Sequence, residues 1–249
     1  MSDATEQTIY FYDRHPISCD LILAKLRTSR GHLDGLRPDD LFPHDQDHYG
    51  GLAATDELAR GAQIASRTYV ADFCAGLGGT VRYLAHKYGA NVTGIELTPS
   101  RVAGAQELTQ RVGLQDRARV IEGNVMSVPL GDGIMDAVVS QEAFCHVPDP
   151  GKALSEAFRI LRKDGMLAFT DWIANEQLSA DDAQLMWEGL TAEWGPILKE
   201  RLAMHQRLRE EARQAGTPMG HDAFHQSYIR FVELIQQRKL GGVRIVASK

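Results

Sequence analysis

Residues 69–85 read YVADFCAGLGGTVRYLA. An apolar, strand-like run ends in Asp72 and Phe73, a turn follows through Gly76, Gly78 and Gly79, and helical spacing begins at once. In an open α/β sheet, ligands bind outside the carboxyl ends of the strands, where such a turn lets the backbone approach them closely. A nucleotide-like ligand is therefore expected at this turn. The dinucleotide fingerprint G-x-G-x-x-G needs glycine at the sixth position counted from Gly76, and that position is Val81. A nicotinamide cofactor is disfavoured on that ground. Asp72 also projects an acid into the turn, which would repel a pyrophosphate but attract an α-ammonium group. Glu96 closes the next strand-like run roughly 20 residues on, the place from which a carboxylate accepts both ribose hydroxyls.

Downstream, strand and helix patterns keep alternating: ANVTGIEL (90–97), PSRVAGAQELTQRVG (99–113), ARVIEGN (118–124), GIMDAVVSQEA (133–143), PGKALSEAFRILRKDG (150–165) and MLAFTDW (166–172). The fold class this implies is α/β: a Rossmann-like, doubly wound, mainly parallel sheet covered by helices on both faces. Upstream, residues 1–8 are polar and expected to fray. PISCDLILAKLRTSRG (16–31) places Ile17, Leu21, Ile22 and Leu26 on one helical face, with Pro16 at the start and Gly31 at the end. GLAATDELARGAQIA (51–65) reads as a second helix. Beyond Trp172 no strand is convincing over 180–240, where three segments carry helical spacing, and GGVRIVASK (241–249) reads as a short strand returning to the sheet. The expected organisation is a helical cap and lid over 1–66, a ligand-binding core over 67–179, a helical subdomain over 180–240 and a terminal strand over 241–249.

Between the two N-terminal helices lies LFPHDQDHYGGLAATDELA (41–59), with His44, Asp45, Asp47, His48 and Tyr49 directly before Gly50 and Gly51. Two histidines and two aspartates are plausible zinc or iron ligands, yet the same groups can orient and deprotonate an organic molecule. Composition narrows the surroundings. A chain of 249 residues with 43% hydrophobic and 24% charged content is sized and balanced for a packed enzyme-like domain. A net charge of −6 argues against a broad phosphate-binding face, so no nucleic-acid partner is expected. Cys19, Cys74 and Cys145 are odd in number and widely spaced, which suits a reducing cytoplasm rather than a disulfide framework. No run approaches the ~18 consecutive apolar residues of a membrane span, and no signal-peptide pattern opens the chain.

Asp72 through Gly78, Glu96, EGNV (122–125) and VVSQEAFCHV (138–147) resemble the successive motifs of class I S-adenosylmethionine-dependent methyltransferases. The nearest types are small-molecule N-methyltransferases acting on sarcosine/dimethylglycine and on phosphoethanolamine, and the match runs over roughly 50–172. The resemblance implies S-adenosyl-L-methionine as cofactor. It assigns the methionine part to Asp72, Cys74, Gly76 and Gly78, the ribose to Glu96 beside Leu97, and the adenine flanks to Asn124 and Val125. Gln141 and His146 would face the reaction centre, and the 43–51 segment would close over the cofactor. Three departures accompany it: Cys74 stands where the family has its first glycine, Asn124 replaces an aspartate, and the helix-and-strand segment before the terminal strand is missing. Either the sixth family strand is absent or that material is rearranged.

A sulfonium donor needs no metal, because its leaving group is neutral; it needs an unprotonated nucleophile, aligned and shielded from water. The loop at 43–51 therefore reads as lid and substrate pocket, without a metal. His146, Tyr10 and Tyr49 are expected at the chemistry, and Asp45, His48 and Trp172 at the substrate. Tyr12 is the other N-terminal tyrosine, Trp187 and Trp194 read as core, and Cys145 reads as a small buried neighbour. The expected activity is N-methylation of an amine or small heteroaromatic compound. O-, S- or C-methylation of a natural-product or quinone-like acceptor is the rival within the fold. A nucleotide-cofactor oxidoreductase, a non-catalytic S-adenosylmethionine sensor and a metal-dependent enzyme are more distant. A homodimer is left open.

Overall fold

The computed structural model describes residues 3–13, 15, 17–46, 48–181, 184, 186, 189–214 and 222–249. Pro16, Asp47 and Trp187 lie outside them. The chain divides into two units, one running up to Thr170 and joined by Ile245–Lys249, the other Asp171–Arg244.

In the first unit, helices α1 (Asp3–Asp13), α2 (Cys19–Arg30), α3 (Pro38–Asp45) and α4 (Gly51–Gly61) precede β1 (Tyr69–Phe73). Then come α5 (Gly79–Tyr88), β2 (Asn91–Glu96), α6 (Pro99–Arg111), β3 (Ala118–Glu122), β4 (Met135–Gln141), α7 (Pro150–Ile160) and β5 (Leu161–Ala174). The second unit, which β5 enters at Asp171, holds α8 (Leu190–Gln214), α9 (Asp222–Gln236) and the start of β6 (Leu240–Ser248), whose residues from Ile245 belong to the first. The strands run in the order β3-β2-β1-β4-β5-β6, and β1 through β5 pair in parallel. Order reverses between β1 and β4, so the crevice for a ligand opens there, at the strands' carboxyl ends.

The residues of β1 explain the double layer. Val70 packs with Leu58, Val81 and Leu84 on one face, while Ala71 and Phe73 pack with Ala153, Ala157 and Ile160 of α7 on the other. With both faces covered, β1 shows an almost unbroken buried run instead of alternation. A third cluster joins Ile22, Leu23 and Leu26 of α2 and Leu41 of α3 to Leu77 of the glycine turn and Leu108 of α6. Burying each such leucine contributes about 1.5–3 kcal/mol, so the N-terminal helices are anchored to the core. Leu21, expected on that face, is exposed, and Leu23 takes its place.

Other expectations change in detail. The polar N-terminus is helical from Asp3. Residues 38–45, overlapping the start of the 43–51 segment, form α3, with Pro38 in its first turn and Asp40 accepting from the Arg37 backbone N–H. The helix expected to run to Gly165 ends at Ile160, because 161–165 is taken into the sheet: Lys249 N–H donates to Gly165 and Asp164 N–H to Lys249. Asn175 N–H donates to Lys239, so β6 runs antiparallel to β5. Among the described residues no strand separates β5 from β6 in sequence, in line with an absent sixth strand.

Candidate active site

A cavity of about 1100 Å3, its open mouth included, lies in the first unit at the strands' carboxyl ends. The glycine turn forms its floor. Cys74 and Gly76 both take positive φ, 59° and 55°, a region costing a side chain of about 1–2 kcal/mol and glycine almost nothing. Cys74 therefore sits, at some strain, in a conformation suited to glycine. Gly78, expected to hold the cofactor, does not line the cavity: it caps α5, and a Cβ there would stand 3.1 Å from both Arg82 Nη1 and Val120 Cγ2. Gly79 is required by a close approach, since a Cβ would lie 2.2 Å from the Asp45 carbonyl oxygen.

Two acids occupy the strand ends. Asp72 is 3% exposed, and burial first, the Glu96 charge second, push its carboxyl up to about 8. Glu96 is fixed by backbone amides: Gly76 N–H donates to Oε2 and Thr98 N–H to Oε1, each at 2.8 Å. Gln141 Oε1 accepts from Thr80 Oγ1 at 2.9 Å and Thr55 Oγ1 at 3.3 Å, while its buried Nε2 has no partner among the described residues. An unmatched amide donor and a carboxyl made basic by burial suit a ligand that brings acceptors and an ammonium group. Leu97, Asn124 and Val125 also line the cavity. Asn124 Oδ1 accepts from Met126 N–H at 2.8 Å, so this amide shapes its own turn.

The residues of the 43–51 segment are placed otherwise than expected. Asp45 lines the cavity, but its carboxylate is held by fully buried Arg82, with Nη2 at 2.8 Å, and by Gln46 Nε2 at 2.7 Å. It is committed to the protein rather than to a substrate cation. His48 lines the cavity too, its ring nitrogens meeting Gln46 Oε1, Thr55 Oγ1 and the Tyr49 carbonyl. Tyr49 is buried outside the cavity wall, and its backbone N–H donates to Glu142 Oε2 at 2.6 Å. Glu142, at φ 49°, also accepts from Thr170 Oγ1 at 3.1 Å, tying the loop after α3 to β5.

At the mouth, His146 closes the short 3-10 turn Phe144–His146 and lies edge-on to Tyr12, ring centroids 5.6 Å apart. Tyr12, Thr5 and Thr8 bring α1 into the wall. Tyr10 instead is 62% exposed, two residues and therefore more than half a helical turn away. Cys145 is exposed rather than buried. Trp172 belongs to the second unit, where its ring meets Trp194 at 4.9 Å and Phe231 at 5.6 Å. Sequence reasoning weighed Tyr12 beside Tyr10 without choosing it for the chemistry, and missed Thr80, Arg82, Arg101 and Glu142.

Residues 71–169 match the family model described as a methyltransferase domain. That match covers less than half of this chain. The chain is 38% identical over 148 residues to a sarcosine/dimethylglycine N-methyltransferase of Halorhodospira halochloris, covering 59% of this chain and 50% of that one. It is 36% identical over 150 residues to the 2-methyl-6-phytyl-1,4-hydroquinone methyltransferase of a Synechocystis strain, covering 59% and 42%. The match thus spans half or less of these relatives. A geranyl diphosphate C-methyltransferase from Streptomyces coelicolor, solved with Mg2+, geranyl diphosphate and S-adenosyl-L-homocysteine, superposes on 99% of this chain and 98% of its own. Its TM-score is 0.67 at 16% identity, a likeness of fold. Among the described residues of this chain, no three or more His, Cys, Asp or Glu are grouped to hold a metal, and no helix is long and apolar enough to cross a membrane.

Proposed function

We propose that this is a cytoplasmic S-adenosylmethionine-dependent methyltransferase that methylates nitrogen of a small amine or heteroaromatic compound, with residues up to 66 acting as cap and lid. The observation that carries the reading is the pairing of buried Asp72 with amide-fixed Glu96 around the glycine turn. The bound donor supplies a methyl group on a sulfonium whose departure leaves a neutral thioether. Asp72 takes the donor's ammonium, Glu96 accepts from the ribose hydroxyls, and Gln141 Nε2 supplies a hydrogen bond at the wall. An acceptor nitrogen must shed its proton, and His146 at the mouth can receive it. Tyr12, edge-on to His146, takes the orienting role expected of Tyr10.

The test combines calorimetric titration of S-adenosylhomocysteine with a labelled methyl-transfer screen over amines, azaheterocycles and phenols. Binding together with transfer to nitrogen is the expected outcome. His146→Ala should lower kcat by roughly 10²–10⁴ on that acceptor while leaving homocysteine-ligand affinity almost unchanged. Binding without transfer to any nitrogen would refute the acceptor assignment. The similarity to a hydroquinone methyltransferase favours one second reading, methylation of a quinone-like acceptor, and transfer to phenols or ring carbon in the same screen would establish it.

A further inference from the structure

Arg101 stands in the first turn of α6, directly after the strand that ends in Glu96. It is 5% exposed and lines the cavity. Its guanidinium lies over the Tyr12 ring, 5.2 Å from the centroid, and Nη1 donates to the Ile17 carbonyl at 3.3 Å. A Cβ built on Gly76 would stand 3.4 Å from Nη2, so the cation rests against the glycine turn itself. Among the described lining residues it is the one lysine or arginine, facing a wall that carries Asp72, Glu96 and Glu142.

The donor's amino-acid end carries an ammonium and a carboxylate. Asp72 suits the first and repels the second. A carboxylate buried among carboxylates needs a counter-charge, and a guanidinium offers planar, paired N–H donors matched to its two oxygens. The N-terminus of α6 adds partial positive charge on the same side. We propose that Arg101 binds the carboxylate of the donor's methionine portion and so selects ligands bearing the amino-acid end over those lacking it. The assignment rests on the S-adenosylmethionine reading of this cavity.

Calorimetry with two ligands separates the cases. S-adenosylhomocysteine carries the amino-acid end, whereas methylthioadenosine keeps the nucleoside and the sulfur without it. Arg101→Gln should weaken the first by roughly 10–100-fold, the span of a hydrogen-bonded charge pair, and the second by less than about 3-fold. Arg101→Lys should lose less, keeping the charge without the fork, and serves if the glutamine variant does not fold. Equal weakening of both ligands would make Arg101 a packing partner of Tyr12 and the turn, and unchanged homocysteine-ligand affinity would place the carboxylate elsewhere; either overturns the assignment. A wild-type protein that binds neither ligand would overturn the cofactor reading as well.

Discussion

Asp72 makes the cavity sensitive to pH. With its carboxyl held near 8 against an ordinary 3.8, the folded protein keeps a proton that the unfolded chain has already released at neutral pH. Its contribution to stability is full below about pH 4 and is lost as pH rises toward about 8. A ligand ammonium beside it reverses the preference, so binding at pH 7 should expel close to one proton. Calorimetry in buffers of different ionisation enthalpy reads that proton directly. Melting curves of the ligand-free protein should fall across this window more steeply for wild type than for Asp72→Asn, and identical slopes would remove Asp72 from the linkage. The strand-end placement of Asp72 and Glu96 could be read from the sequence pattern alone. Tyr10 and Tyr12 could not be separated in sequence because two tyrosines two residues apart point to different sides of a helix, and only the docking of α1 selects which of them lines the cavity.

At the scale of elements, a buried ion pair fastens α3 to α5. Arg82 donates to Asp45 through Nε and Nη2 and to Ala105 O and Thr109 Oγ1 through Nη1. Removing one partner strands the other charge, so Arg82→Met should cost about 3–5 kcal/mol in urea unfolding, whereas Arg82→Met with Asp45→Leu should recover part of that loss. An exposed-pair value below about 1 kcal/mol would deny the pair its role. The alternation of strands and helices around 69–172 was readable because β1 and β2 are apolar runs bounded by glycine turns. The role of Asp45 was not, because its partner lies 37 positions away on a helix whose charged residue reads in sequence as solvated. The end of α7 was hidden for a similar reason: the RKDG segment has local helical character, and its capture by the terminal strand is a long-range pairing that no window around it contains.

For the molecule as a whole, the reaction proposed needs no Lewis acid, because the methyl leaves a positively charged sulfur. Methyl transfer by the purified protein should survive exhaustive chelation, and activity restored only by a divalent ion would contradict that chemistry. The division into units has a further consequence, in the order in which the chain is made. Ile245–Lys249 completes the unit that otherwise ends at Thr170, with all of Asp171–Arg244 synthesised in between. A ribosome therefore delivers β1 through most of β5 well before the strand that covers the β5 edge, and until then that edge offers unpaired N–H and C=O groups to any passing strand. Closing so long a loop adds only slowly to the entropy cost but delays the contact. The nascent protein is thus most exposed to mispairing while its helical unit is being translated, a hazard that the finished fold no longer displays.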